Sequence, residues 1–141
     1  MKQLQQQMQQ QQKQEQQQKQ EEDISSLRML LENLITFSFD QEDVLENFSN
    51  LSSSDPKYVD LTREQRKLAD DAELIKDSLQ ALSKRIYQIE SYVAKEINDI
   101  KYNLSGTIDL LSERKTSLAG VKQQNIMTAS NNLALLLDEI L

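Results

Sequence analysis

The sequence predicts an all-α fold built from elongated, antiparallel, coiled-coil-like helices, and three observations carry that reading. Turn formers are scarce: 141 residues contain two Gly and one Pro, too few to punctuate the many short strands of a sheet fold. Leu, Gln, Glu, Lys, Ala and Ser dominate, and aromatics make up only 5%, which is helix composition. Apolar residues recur at three- and four-residue steps over most of the chain, the period of an amphipathic helix.

The first 20 residues hold 13 Gln, interrupted by Met1, Lys2, Leu4, Met8, Lys13, Glu15 and Lys19. This low-complexity tract has no apolar stripe with which to form a core. Gln is nonetheless a good helix former, so the tract is expected either to prolong the helix that follows or to stay disordered in isolation. The chain therefore divides into a Gln-rich segment, 1–20, and a helical bundle segment, 21–141.

Helix A is expected over about 22–51. Ile24, Leu27, Leu31 and Leu34 begin its first stripe, which passes through polar Ser38 and Gln41 to Leu45 and Phe48. A second stripe, Leu30, Phe37, Val44 and Leu51, lies beside the first. Together they form an apolar face wider than a two-stranded seam, so helix A must touch more than one neighbour. The string Ser52 to Tyr58, "SSSDPKY", ends it, with Asp55 placed to cap the next helix and Pro56 suited to its first turn.

Helix B is expected over about 56–114. Leu61, Gln65, Leu68, Ala72, Ile75, Leu79, Leu82, Ile86, Ile89 and Val93 alternate four and three apart, a heptad seam of more than four repeats. The phase runs on through Ile97, Ile100, Leu104, Ile108 and Leu111, with stutters at Val93–Ile97 and Leu104–Ile108. Because the phase survives Gly106, the spacing predicts one helix of about 87 Å at 1.5 Å per residue. Leu74 and Ala81 flank its seam.

The pattern lapses at "ERKTSLAG", Glu113 to Gly120, the second turn. Helix C, about 119–141, then turns Ile126, Ala129, Leu133, Leu136 and Ile140 inward and keeps Asn125, Thr128, Asn131 and Asn132 polar. It stops at "LLLDEIL" without a cap, an ending expected of a piece cut from something longer.

Charges supply a register. With the first turn near Ser54, Asp40, Glu42, Asp43 and Glu46 fall opposite Arg63, Arg66 and Lys67. Farther along, Glu21, Glu22 and Asp23 fall opposite Lys84 and Arg85, and Arg28 near Asp77. Both matches favour an antiparallel A/B hairpin, although exposed pairs set register more than stability. A second turn near Ser117 lays helix C over Val93 to Leu111, which makes helix B a shared spine.

Composition also excludes functions. Without Cys or His the chain has no thiolate nucleophile, no Cys/His zinc site, no imidazole acid–base group and no disulfide. Adjacent carboxylates, Glu42-Asp43 and Asp70-Asp71, diverge by about 100° on a helix and do not share a ligand. The four Tyr read as packing residues with hydroxyls in water. Three glycosylation sequons, at Asn47, Asn50 and Asn103, are discarded for want of a secretory signal. No catalytic, cofactor-binding or metal-ligating residue is assigned, and the chain is not expected to be an enzyme or to take a small-molecule substrate.

The net charge of -7 is uneven: residues 1–20 sum to +2 and residues 21–56 to -8. No block offers the concentrated positive face that nucleic acid requires. The longest apolar run, Leu133 to Leu137, is far too short to span a membrane, and the isolated segment is expected to be soluble.

Three strings, "LRMLLENLITFSFDQEDV", "SDPKYVDLTREQRKLADDAELIKDSLQALSKRIYQIESYV" and "QQNIMTASNNLALLLDEIL", resemble the helical, Gln-rich region of a family of large Bacteroidetes membrane-anchored proteins classed as a domain of unknown function. The resemblance covers about residues 20–141 and includes no enzymatic motif. It implies a parent anchored in the cell envelope by segments far upstream, and a structural role.

The sequence thus points to a non-catalytic helical scaffold or protein-interaction module. The rival is a regulatory or chaperone-like clamp whose A/B seam opens to hold a transient peptide client. The expected partners are other proteins or a second copy of the chain. A homodimer follows from the apolar residues left uncovered on a two-helix hairpin: Leu30, Phe37, Val44 and Leu51 on A, and Leu74 and Ala81 on B.

Overall fold

The computed structural model describes all residues, 1–141. It holds four α-helices: α1 Lys2–Ser49, α2 Lys57–Ser83, α3 Glu90–Ser112 and α4 Thr116–Ile140. A single 3₁₀ turn, Tyr87–Ile89, precedes α3. Each helix packs on the next and α4 closes back on α1. Cross-helix contacts show that every step is antiparallel. Gln41 meets Gln65 and Asp23 meets Arg85 between α1 and α2. Tyr58 meets Leu111 and Glu73 meets Lys101 between α2 and α3, and Asn103 meets Asn125 between α3 and α4. The result is an up-down-up-down bundle around one core of 25 buried apolar residues.

The first turn lies where the sequence puts it; helix A is found but runs back through the Gln tract to Lys2, and helix C begins at Thr116, inside the turn expected over Glu113–Gly120. Asp55 does cap: its Oδ1 accepts the Lys57 backbone N–H at 2.9 Å. The single long helix B is wrong. The chain reverses at Lys84–Ile89, so the predicted three helices are four, and the 87 Å spine is two antiparallel helices, α2 and α3.

Neither Gly nor Pro makes this reversal. Ile86 leaves the helix with an extended backbone, φ -116° and ψ 92°. The turn residues nevertheless stay apolar at the helical interval, because Ile89 is fully buried and Ile86 packs against the core from the bundle end. The heptad phase therefore runs unbroken through a turn, because the turn plugs the core with the residues a helix would have used. The second stutter, at Leu104–Ile108, lies within continuous helix, as does Gly106.

The turn into α4 is a Schellman motif. Lys115 N–H bonds Leu110 C=O at 2.9 Å and Arg114 N–H bonds Leu111 C=O at 3.0 Å. Arg114 takes the left-handed position, φ 58°, the one non-Gly residue in the chain to do so. Small inward residues Ala119, Ala129, Ser130 and Ala134 then let α4 lie close. A Cβ on Gly120 would come to 3.4 Å from Leu45 Cδ1 of α1.

That closure answers what covers the wide face of helix A. Leu30, Phe37 and Val44 are buried within the chain, between α2 and α4. The A/B hairpin with an uncovered second stripe is therefore wrong, and the need for a second copy over those residues disappears with it. Full burial of each such side chain contributes about 1.5–3 kcal/mol.

One part of α1 has no neighbour. The bundle ends near Asp23, where Arg85 Nε meets Oδ1 at 2.8 Å, and every residue from Met1 to Glu22 is exposed. The Gln tract is thus a lone helical arm, extending roughly 30 Å beyond the bundle at 1.5 Å per residue.

Candidate interaction surfaces

A layer of carboxamides crosses the core, nearer the end that holds the α1–α2 and α3–α4 turns. Gln41 of α1, Gln65 of α2 and Gln123 of α4 are 0%, 0% and 1% exposed. Gln41 Nε2 donates to Gln65 Oε1 at 2.9 Å, and Gln65 Nε2 returns a bond to Gln41 Oε1 at 2.8 Å. Gln123 Nε2 adds a second donor to Gln65 Oε1 at 3.0 Å, filling both of its lone pairs. Nearby Thr107 of α3 is fully buried and donates to the Asn103 carbonyl at 2.7 Å. Any slip of one helix by a turn would place an amide against Leu, so the layer fixes register. Gln41 and Gln65 stand in the sequence seams as polar interruptions, but their pairing is legible only once the turn centre is known.

The predicted seam residues divide. Leu30, Phe37 and Val44 are core, Leu51 is half-buried, and Leu74 and Ala81 are exposed. Phe37 and Leu74 do come together, lining a groove of 220 Å³ between α1 and α2 with Ile75, Asn33, Thr36, Asp40 and Asp71.

The predicted register charges fare unevenly. Asp23 and Arg85 pair across α1 and α2 as the sequence suggests. Asp43 and Lys67 line one shallow cleft without forming an ion pair. Glu42, Glu46 and Arg66 make no ion pair, and Arg63 instead approaches Asp60 of its own helix at 3.8 Å. Side chains this exposed are held too weakly for register to depend on them. A cross-helix cluster that the continuous-helix reading could not foresee joins α2 to α3. Glu73 accepts from Lys76 Nζ at 2.9 Å and lies 3.7 Å from Lys101 Nζ. The Lys76 hydrogen bond, chiefly, holds the Glu73 carboxyl below its ordinary value, and the same bond raises Lys76.

At the end of the bundle that holds both outer turns, Tyr58 is 3% exposed and donates its hydroxyl to the Leu111 carbonyl at 2.7 Å. Phe48 packs edge-on against its ring at 5.2 Å. The Arg114 guanidinium lies 4.7 Å above the same ring, and its Nη1 donates to the Ser53 carbonyl. Burial raises the Tyr58 hydroxyl above its ordinary pKa, against a smaller opposing effect of Arg114. Tyr58 is therefore structural, as expected, but its hydroxyl is bonded to backbone instead of water. Tyr87, Tyr92 and Tyr102 are exposed, and Lys122 Nζ sits 4.9 Å over the Tyr102 ring.

The polar group of helix C lies on the surface. Asn125 donates to Asn103 Oδ1 at 3.3 Å, Asn132 to Glu96 at 3.4 Å, and Thr128 to its own helix. No three His, Cys, Asp or Glu side chains gather as a metal site would require, and no helix is long and apolar enough to cross a membrane. No protein-family model matches the chain, and no curated protein or solved structure gives a significant match.

Proposed function

We propose that this protein is a non-catalytic helical scaffold or protein-interaction module, with the bundle as a rigid base and the N-terminal arm as the element presented to a partner. The observation that carries the reading is the arm itself. A helix polar on all sides with no neighbour is of the kind that bridges between bodies, and this one grows without interruption out of a packed core. The partner is another protein or a second copy of the chain. The resemblance to membrane-anchored envelope proteins supports a parent of that kind and a location at the cell envelope. A peptide clamp would need the α1/α2 seam to open, yet α3 and α4 close the core over it, which favours the scaffold.

Site-specific photo-crosslinking tests the proposal. A photoreactive residue at Met8, in the arm, is compared with one at Tyr102, on α3, in the protein expressed in its own cells. The expected result is a defined adduct from position 8 that position 102 does not give. No adduct from the arm, or the same adducts from both positions, would contradict it.

A further inference from the structure

Among five of the clefts on the surface, of 220 to 440 Å³, the charges set one apart. The groove beneath Phe37 and Leu74 has Asp40 and Asp71 in its wall, and its neighbour has Asp40, Asp43, Glu64 and Asp71 against Lys67. Two more balance Lys with Asp or Glu. The fifth, 410 Å³, is lined by Tyr58, Val59, Thr62, Arg63, Arg66, Leu111, Ser112 and Arg114. It gathers three of the five Arg in the chain and no carboxylate, on a protein of net charge -7.

Each guanidinium reaches the cleft for a structural reason. Arg63 and Arg66 are three apart on α2, and so share a helix face. Arg114 comes from the α3–α4 turn. There the left-handed backbone, φ 58°, favours Gly or Asn and is strained for any other residue. An Arg at a position suited to Gly points to a use for its side chain. Stacking on Tyr58 and the bond to the Ser53 carbonyl hold it in place, and the remaining N–H donors of its fork are uncommitted.

The hydroxyls in the wall are already spent as donors. Thr62 Oγ1 donates to Tyr58 C=O and Ser112 Oγ to Ile108 C=O. The free donors are therefore guanidinium N–H groups, whose planar forks match the oxygens of phosphate. The carboxylates nearest in sequence compete weakly: Asp60 is 3.8 Å from Arg63 with both side chains about three-quarters exposed, and Glu113 is engaged with Lys115 at 3.0 Å.

We propose that Arg63, Arg66 and Arg114 form a binding site for a phosphate-class oxyanion, with Val59 and Leu111 as an apolar wall for the group that carries it. Three charges in one cleft do not make the extended stripe that a nucleic-acid backbone needs. The phosphate belongs to a soluble ester or to a lipid headgroup, which present the same chemistry.

The test uses the full chain and inorganic pyrophosphate at fixed ionic strength, followed by amide chemical shifts. Expected are saturable shifts confined to the Val59–Arg66 and Leu111–Arg114 segments, weakened roughly fivefold to tenfold in Arg63→Gln and in Arg66→Gln. Both substitutions are at exposed positions, and circular dichroism should show the fold intact. Lys95→Gln, in a different cleft, should bind like the parent. Shifts that never saturate, that spread over the surface, or that persist unchanged in Arg66→Gln would overturn the proposal. A second arm sediments the chain with phosphatidylcholine vesicles containing about 20% phosphatidic acid. Vesicle binding abolished by Arg66→Gln supports the site and identifies a headgroup as the source. No vesicle binding, with pyrophosphate binding intact, supports it with a soluble source.

Discussion

Gln41 and Gln65 face each other across α1 and α2 inside the core, each carboxamide donating to the other, at 2.9 and 2.8 Å. Gln65 also accepts from Gln123, so it is the hub. Gln65→Leu would leave the amide donors of Gln41 and Gln123 buried without that acceptor. At about 1–3 kcal/mol for each orphaned group, the urea midpoint should fall by an amount equivalent to roughly 2–4 kcal/mol. The triple replacement Gln41→Leu, Gln65→Leu and Gln123→Leu removes all the orphans. It should be far less damaging than the single change, or stabilising, with a loss of unique register visible as broadened amide spectra.

Tyr58 links α2 to the end of α3 through its bond to Leu111 C=O. Tyr58→Phe should cost about 1 kcal/mol, at the low end because that carbonyl keeps the Arg114 N–H. The hydroxyl pKa is raised in the folded state, mainly by burial. A group raised on folding contributes stability below its unfolded pKa and loses it as pH rises through the folded value. Stability should therefore fall above the ordinary tyrosine range, near pH 10, and the Phe variant should lose that part of the alkaline dependence.

Two substitutions should stabilise. The Ser130 hydroxyl is fully buried and has no hydrogen-bond partner, so Ser130→Ala should gain about 1 kcal/mol. Gly106 lies mid-helix in α3, and a Cβ there would meet only the flexible end of Lys122, at 2.7 Å from Cδ. Gly106→Ala should therefore gain most of the helix-propensity difference of about 1 kcal/mol, less what Lys122 loses over Tyr102. Thermal melts of both variants check this.

Removing residues 1–20 should leave the thermal midpoint within about 2–4 °C, because Leu4 and Met8 are exposed and nothing packs on the arm. The truncated chain should lose helical ellipticity in proportion to the arm. A large drop in the midpoint would show that the Gln helix supports the bundle.

The all-helical class, the turn at Ser52–Pro56 and a break near Glu113 were legible because the apolar phase or the turn chemistry changes there, although the second turn is only Glu113–Lys115 and Thr116–Gly120 already belongs to α4. The reversal at Lys84–Ile89 was not, since Leu82, Ile86, Ile89 and Val93 keep helical spacing while Ile86 and Ile89 seal the bundle end. That one hidden turn also hid the cover over Phe37 and Val44, and with it the closed ring of helices. Charge matching recovered Asp23–Arg85, at the open end of the α1/α2 hairpin, but not the cluster around Arg66. Arg114 joins that cluster only when α3 returns antiparallel to α2, a placement no local pattern encodes.

The closed bundle depends on that reversal, and one distance tests it most directly. Spin labels at Lys57 and Ser112 flank Tyr58 and Leu111, which touch at 2.7 Å. Pulsed electron–electron resonance on the doubly labelled chain should give a mean separation below about 25 Å. A continuous helix from Lys57 to Ser112 would instead hold the labels about 80 Å apart at 1.5 Å per residue, and absence of the short distance would contradict the four-helix bundle.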